Sequence, residues 1–205
     1  MRLEHPGTSL AIAKRELAAS PPAAPAQLAY ITARLSDTLA AYSRIADVVG
    51  DAEAAAMARL VSARMTGIAT QLSAGIGTVT PASRGEYVTG LCDSAVTVLE
   101  AREDEMDLAE ASAIAVTATE TITALRSHVR AGIASGEWQS VSVATSKQLG
   151  EVVGMCGLLA AQATHTVVTG GGLGRRRPPR SLDAPSSRAI AHDAPTPGEQ
   201  GGPSR

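Results

Sequence analysis

The clearest pattern in the chain is a repeat of apolar residues at helical spacing through its first half. From residue 28 to residue 72 these residues recur every three or four positions, which fits the a/d register of a helical bundle or coiled coil. They are Leu28, Ile31, Leu35, Tyr42, Ile45 and Val49 in a first run and Met57, Val61, Met65, Ile68 and Leu72 in a second. Between the runs, Gly50 suits a helix C′ position and Asp51 the next N-cap. The pattern predicts two antiparallel helices joined by a tight turn.

Each of these two predicted helices has one apolar stripe and a charged opposite face. The charged face includes Arg34, Asp37, Arg44, Asp47 and Arg59. A hairpin of this kind leaves its stripes open to water unless a second copy covers them. We therefore expect a homodimeric four-helix bundle whose seam consists of the eleven a/d residues named above.

The second half of the chain predicts helices first and strands afterwards. Ser83 with Glu86, and Asp107 with Glu110, have the spacing of capping boxes, which predicts helices over about 84–102 and 108–130. Beyond Gly132, residues 138–145, 151–154 and 165–169 are short β-branched or apolar runs that indicate strands, with a turn at 147–150 and a short helix at 158–163. The predicted fold class is mainly α with a small α+β part.

The two ends of the chain have the composition of linkers. Residues 1–27 predict a flexible leader with a short helix over 10–19, closed by a Pro-rich segment. Residues 174–205 are rich in Pro, Gly, Ser and Arg and predict a disordered tail. This leaves a dimerisation hairpin at 28–80 and a second domain at 81–173.

Composition narrows the function classes. A net charge of −2 and an aromatic content of 2% argue against nucleic-acid binding, which needs basic or stacking surfaces. No apolar run reaches the roughly 18 residues that a membrane span needs, so we expect a cytoplasmic protein with no membrane partner. Cys92 and Cys156 do not form a disulfide framework, and the histidines lack metal-ligand spacing.

Three stretches together resemble the sensor histidine kinases, in which a dimerisation hairpin precedes a small ATP-binding α/β sandwich. Residues 34–40 are similar to the family's first hairpin segment, and residues 86–92 to the start of its next helix. Residues 113–128, which contain Glu120 and His128, are similar to its ATP-binding helix. The resemblance implies a reduced kinase-type ATPase sandwich over the second domain, with Glu120 and His128 as a remnant of the ATP site.

The chain departs from that family where the chemistry is done. The phosphoacceptor histidine would fall on Ala33 and the Mg²⁺-binding Asn on Ala124. The stretch 153–158 is too short for the adenine-binding motif and the lid. Because phosphoryl transfer depends on positioning and metal-assisted charge stabilisation, these losses predict no catalytic residue, no metal and no bound ATP or Mg²⁺. The resemblance then implies a non-catalytic modulator in two-component signalling that binds a response regulator or a kinase.

Two other functions stay open at this point. Ala-rich heptads also arise in structural or adaptor helical bundles with no signalling role, and a helical segment at 138–169 would favour that class. Residual ATP binding, or phosphotransfer through His128 or His165, is the second alternative. The acidic cluster at 103–107 is compatible with a cation site or with a helix-capping turn.

Overall fold

The computed structural model describes residues 5–19, 25–74, 83–136 and 143–170, and these residues form an all-helical protein. The helices are α1 (Pro6–Ala19), α2 (Pro25–Val49), α3 (Ala52–Ala74), α4 (Ser83–Ala101), α5 (Leu108–Ala134) and α6 (Val143–Gly170). The described part of the chain contains no strand. The helical-bundle prediction is therefore confirmed, and the predicted α/β sandwich is wrong.

The six helices form two four-helix groups that share one pair. Helix α2 contacts α3, α4 and α5, whereas α5 contacts α1, α2 and α6. Helix α1 closes the first group by contacting α4, and α3 closes the second by contacting α6. Helices α2 and α5 consequently lie at the centre of the molecule, and both bury residues on more than one side.

The predicted turn between the first two long helices is confirmed in detail. Gly50 has a φ of +88°, the left-handed conformation that glycine adopts without steric cost. The carboxylate of Asp51 accepts a hydrogen bond from the Ala54 N–H at 3.1 Å, so Asp51 caps α3. This turn brings α2 and α3 back along each other.

The second predicted capping box is confirmed only in part. Asp107 Oδ1 accepts from the Glu110 N–H at 2.7 Å and caps α5. The Glu110 carboxylate does not complete the box, because its Oε1 lies 3.1 Å from His5 Nε2 and 3.2 Å from Arg102 Nη1. The Ser83 side chain of the other predicted box lies outside the described residues.

The predicted strands at 151–154 and 165–169, the turn at 147–150 and the helix at 158–163 all lie within the single helix α6. The predicted strand at 138–145 lies partly outside the described residues, and its last three residues begin α6. One side of α6 is buried at alternating spacings of four and three, which is the helical period: Thr145, Leu149, Val152, Cys156, Leu159 and Ala163. Packing on α5 and α3 therefore outweighs the β-propensity of the many Val and Thr residues in this segment.

The expected dimer seam lies inside the single chain. Nine of its eleven residues, from Leu28 through Leu72, are no more than 2% exposed, while Val49 and Met57 are half-buried. Helices α4, α5 and α6 of the same chain cover the hairpin, so it needs no second copy to hide its stripes. The dimeric four-helix bundle built on residues 28–80 is therefore wrong as an account of how these stripes are buried.

A charge introduced into this seam should destabilise the single chain itself. In Leu35→Asp an unpaired carboxylate replaces a side chain that is 0% exposed, so we expect a loss of at least about 4 kcal/mol in the free energy of unfolding. Urea denaturation followed by circular dichroism measures this loss.

Leu60→Asp is the matched control, because Leu60 on α3 is 50% exposed and its replacement should change the free energy of unfolding by less than about 1 kcal/mol. A Leu35→Asp protein that stays helical and only loses a partner copy would contradict the intramolecular core.

Candidate interaction surface

The two residues that the sequence assigned to an ATP-site remnant hold α1 in place. Glu120 Oε2 lies 2.8 Å from Lys14 Nζ, and both side chains are about half exposed. The His128 ring is buried and donates a hydrogen bond to the Leu17 backbone carbonyl in the last turn of α1. Both residues of α5 thus contact α1.

Burial lowers the pKa of His128 below its ordinary value, and the hydrogen bond to the Leu17 carbonyl opposes this effect in part. A neutral imidazole that donates one N–H to a helix carbonyl satisfies one of the backbone acceptors that a helix end leaves open. The contact has a structural role that requires no ligand.

The acidic cluster at 103–107 is occupied by neighbouring side chains. Arg44 donates to the Glu103 carboxylate from Nε at 3.0 Å and from Nη2 at 2.8 Å. This carboxylate raises the pKa of Arg44. Asp107 caps α5, so the described contacts correspond to the helix-capping alternative.

The two cysteines are both buried. Desolvation raises the pKa of each thiol, Cys92 and Cys156, to about 12, and a nearby Asp93 adds to the effect at Cys92. A thiol with so high a pKa is protonated at neutral pH and reacts poorly as a nucleophile. Among the described residues, no group of three His, Cys, Asp or Glu side chains is placed to hold a metal ion.

The outer face of α6 differs from the rest of the surface. We give the name α6 strip to its exposed residues Gly154, Gly157, Leu158, Ala161, His165 and Val168. Thr164 and Thr169 are also exposed in this segment. Leu158 is 63% exposed and Val168 is 76% exposed. No Asp, Glu, Lys or Arg occurs anywhere from residue 152 to residue 170.

The glycines of the α6 strip leave depressions on an otherwise regular helix surface. A Cβ atom built on Gly154 or on Gly157 would have no other atom within 4 Å. Core packing within the chain therefore does not require glycine at these two positions. Both glycines also lower the helix propensity of α6 by roughly 1 kcal/mol each relative to alanine.

The other helices carry ion pairs on their surfaces. Lys14 of α1 pairs with Glu120 of α5, Arg34 of α2 approaches Asp93 of α4, and Arg59 of α3 pairs with Asp47 of α2. Within the described ranges, no α6 side chain takes part in an ion pair. The α6 strip thus carries no charge, although Lys147 and Glu151 are exposed nearer the start of the same helix.

A groove of about 300 Å³ lies between α3 and α6. Its apolar lining includes Gly67, Ile68, Val152 and Met155. Arg64 and Glu151 also line it, one from each helix. The groove is thus lined by residues of both charges and is distinct from the α6 strip, none of whose residues lines it.

The length and hydropathy of α6 also satisfy the criteria for a membrane span. The segment Val143–Thr169 has a mean hydropathy of 1.4 in its most apolar window, of which 22% is buried. This differs from the expectation that the chain has no apolar run of sufficient length. The criterion rests on length and composition alone, and the buried side of α6 packs on α3 and α5.

Comparisons with known proteins found no matching family model, no matching curated protein and no matching solved structure.

Sequence reasoning missed the α6 strip because it divided this segment into short strands. The signal was present, since six residues from Thr145 to Ala163 follow the helical period and leave the glycines on the other side. The apolar pattern examined over a window of 18 or more residues would have shown the helix.

The environment of His128 predicts a pH-dependent stability. Its pKa is lowered in the folded state, so the unfolded chain binds a proton more readily below about pH 6.5. The free energy of unfolding should therefore fall as the pH decreases through this range. His128→Gln, which keeps an N–H donor for the Leu17 carbonyl, should flatten that part of the profile in urea titrations at several pH values.

Ser127→Gln is the control, because Ser127 is the exposed neighbour of His128 on α5 and does not titrate in this range, so its profile should follow the wild type. If the free energy of unfolding changed with pH by the same amount in the wild type and in His128→Gln, the buried neutral imidazole would be contradicted.

Proposed function

We propose that this chain is a structural helical-bundle protein without catalytic activity, which assembles with a second copy of itself through the α6 strip. The observation that carries the proposal is the contrast between this uncharged strip and the ion-paired surfaces of the other described helices. Its exposed large apolar side chains, Leu158 and Val168, are of the kind found at protein–protein contact sites.

The shape of the α6 strip suits close contact with another helix. Interaxial distances between packed helices fall when the residues at the contact are small. Gly154, Gly157 and Ala161 supply such positions, and Leu158 and Val168 project beside them. Large side chains of one helix can therefore fill the depressions of another helix that has the same pattern.

A second copy suits the strip better than a charged partner. In a twofold symmetric dimer the same patch occurs on both sides, so it must be compatible with itself. A strip without charges brings no like charges together, and it offers a charged partner nothing to pair with. Helix α6 has 28 residues, or about 42 Å at 1.5 Å per residue, which is long enough for an extended helix-to-helix contact.

A lipid surface is the less favoured occupant. Membrane binding by a helix scales with the apolar area that it buries and is strengthened by basic residues on its polar face. The α6 strip consists largely of Gly, Ala and His, with Leu158 and Val168 as its large apolar side chains.

The two-component interpretation is the less favoured function, because the ATPase-like sandwich that accompanied it is not the fold of the described residues. Its ATP-binding part required an α/β sandwich over 81–173, where the described residues form α4, α5 and α6. Glu120 and His128, which it assigned to that site, contact α1 instead. Helical structure through 143–170 favours the structural class of protein.

The test compares two glycine substitutions that should affect the monomer alike. Gly157→Leu and Gly90→Leu both place a side chain at an exposed helical position with open space around it, so each should raise helix propensity without straining the fold. Sedimentation equilibrium should show a dimer for the wild type and for Gly90→Leu. Gly157→Leu should be a folded monomer, because the leucine blocks the approach of the second α6.

A charge placed on the same strip provides a second, independent test of the dimer. Leu158→Lys should abolish the dimer, whereas Leu60→Lys on α3, also half exposed, should retain it. A wild-type protein that is monomeric throughout the accessible concentration range would overturn the proposal. Flotation of the monomer with vesicles of anionic phospholipid, abolished by Leu158→Asp, would assign the strip to a membrane surface instead.

A further inference from the structure

Helix α1 fills a groove between two helices that do not contact each other. Its helix contacts are with α4 and α5, and it makes none with α2, the helix that follows it in the chain. Helix α4 in turn contacts α1 and α2 but not α5. The groove between α4 and α5 is therefore a binding site for a helix, and α1 occupies it.

The apolar part of this contact is compact. Leu10 and Ala13 are 0% exposed, and Leu17 is 4% exposed. Their spacing of three and four places them on one face of α1. Both α4 and α5 contribute residues to the same core cluster, including Leu91 and Ile114.

Side chains of α5 also bind the backbone of α1. The Thr121 hydroxyl lies 3.3 Å from the Leu10 carbonyl oxygen and 2.8 Å from the Thr117 carbonyl oxygen of its own helix. The His128 ring donates a hydrogen bond to the Leu17 carbonyl, which lies seven residues after Leu10 on α1. Contacts of this kind recognise a helix by its backbone as well as by its side chains.

Two polar contacts at the edge of the groove fix the position of α1. Lys14 pairs with Glu120, and His5 Nε2 lies 3.1 Å from Glu110 Oε1. The outer two contacts with α5, His5 with Glu110 and Leu17 with His128, lie in the same order along both segments. The contacts of Leu10 and Lys14 fall between them, on the neighbouring residues Thr121 and Glu120. Helix α1 thus runs parallel to α5 in one defined register.

We infer that the groove between α4 and α5 also takes the α1 helix of a second copy of this chain, in place of its own. Every contact described above joins α1 to the groove, so a second copy supplies the same set of contacts. The connection to α2 is the five-residue segment 20–24, which contains Pro21 and Pro22. Exchange of an identical element through such a connection is a low-cost route to a dimer.

This inference does not depend on the α6 strip, because α1 and α6 make no contact with each other. The two associations can therefore be measured separately. Leu158→Lys serves as the common background, since it removes the association proposed for α6 and leaves the groove unchanged.

Chemical cross-linking between two differently tagged chains tests the exchange. One full-length chain carries Lys14→Cys and the other carries Glu120→Cys, and the two are unfolded in urea, refolded together and treated with a short bis-maleimide. The native Cys92 and Cys156 thiols are buried with pKa values of about 12 and do not compete at neutral pH. The expected result is a covalent heterodimer whose yield rises with the protein concentration during refolding.

Two controls make a negative result decisive. A single chain with both substitutions should cross-link internally at low concentration, which shows that the reagent reaches across the groove. Arg15→Cys replaces Lys14→Cys as the matched control, because the Arg15 side chain is 73% exposed, and it should give no heterodimer with Glu120→Cys. Internal cross-linking without any heterodimer at high concentration would overturn the inference.

Discussion

The structure depends on close packing of helices whose buried faces are built from small side chains. The chain contains no Phe and one Trp, and Tyr42 is the aromatic residue in the described core. Small residues on several sides of α2, including Ala29, Ser36 and Ala46, are also buried. A helix of this kind can be surrounded, because neighbouring axes approach closely wherever Ala and Ser lie between the larger residues. This explains why α2 contacts three other helices of its own chain.

The local elements of the first half could be predicted because each has a local physical cause. Gly50 ends α2 by adopting a positive φ, and Asp51 begins α3 by capping it. The partners of these helices could not be predicted from the same pattern. The prediction of one apolar stripe per helix places Thr32 and Ser36 on the surface, yet both are buried. Their hydroxyls bond within the bundle, from Thr32 to the Leu28 carbonyl and from Ser36 to the Ser62 carbonyl, so the polar atoms do not keep these faces in water.

The candidate surface was less accessible to sequence reasoning than the fold. Val152, Val153 and the Val167–Val168 pair have high β-propensity, and glycines interrupt the segment, so short windows indicate strands. The helix becomes apparent once Leu149, Cys156 and Leu159 are seen to share one buried side. Glu120 and His128 show the converse case. Their spacing resembled that of an ATP-binding helix, but both residues contact α1. No local pattern on α5 indicates that α1 docks there.

The parallel docking of α1 on α5 has a consequence for the order in which the protein is made. His5, Lys14 and Leu10 meet residues of α5 that lie 105, 106 and 111 positions further along the chain. At ribosomal rates of about 5–20 residues per second, the first helix to be synthesised waits about 5–20 s for the helix that receives it. During that interval the apolar side of α1 is exposed to water or bound by a molecular chaperone. Early translation is therefore the stage at which this apolar side lacks its partner within the chain.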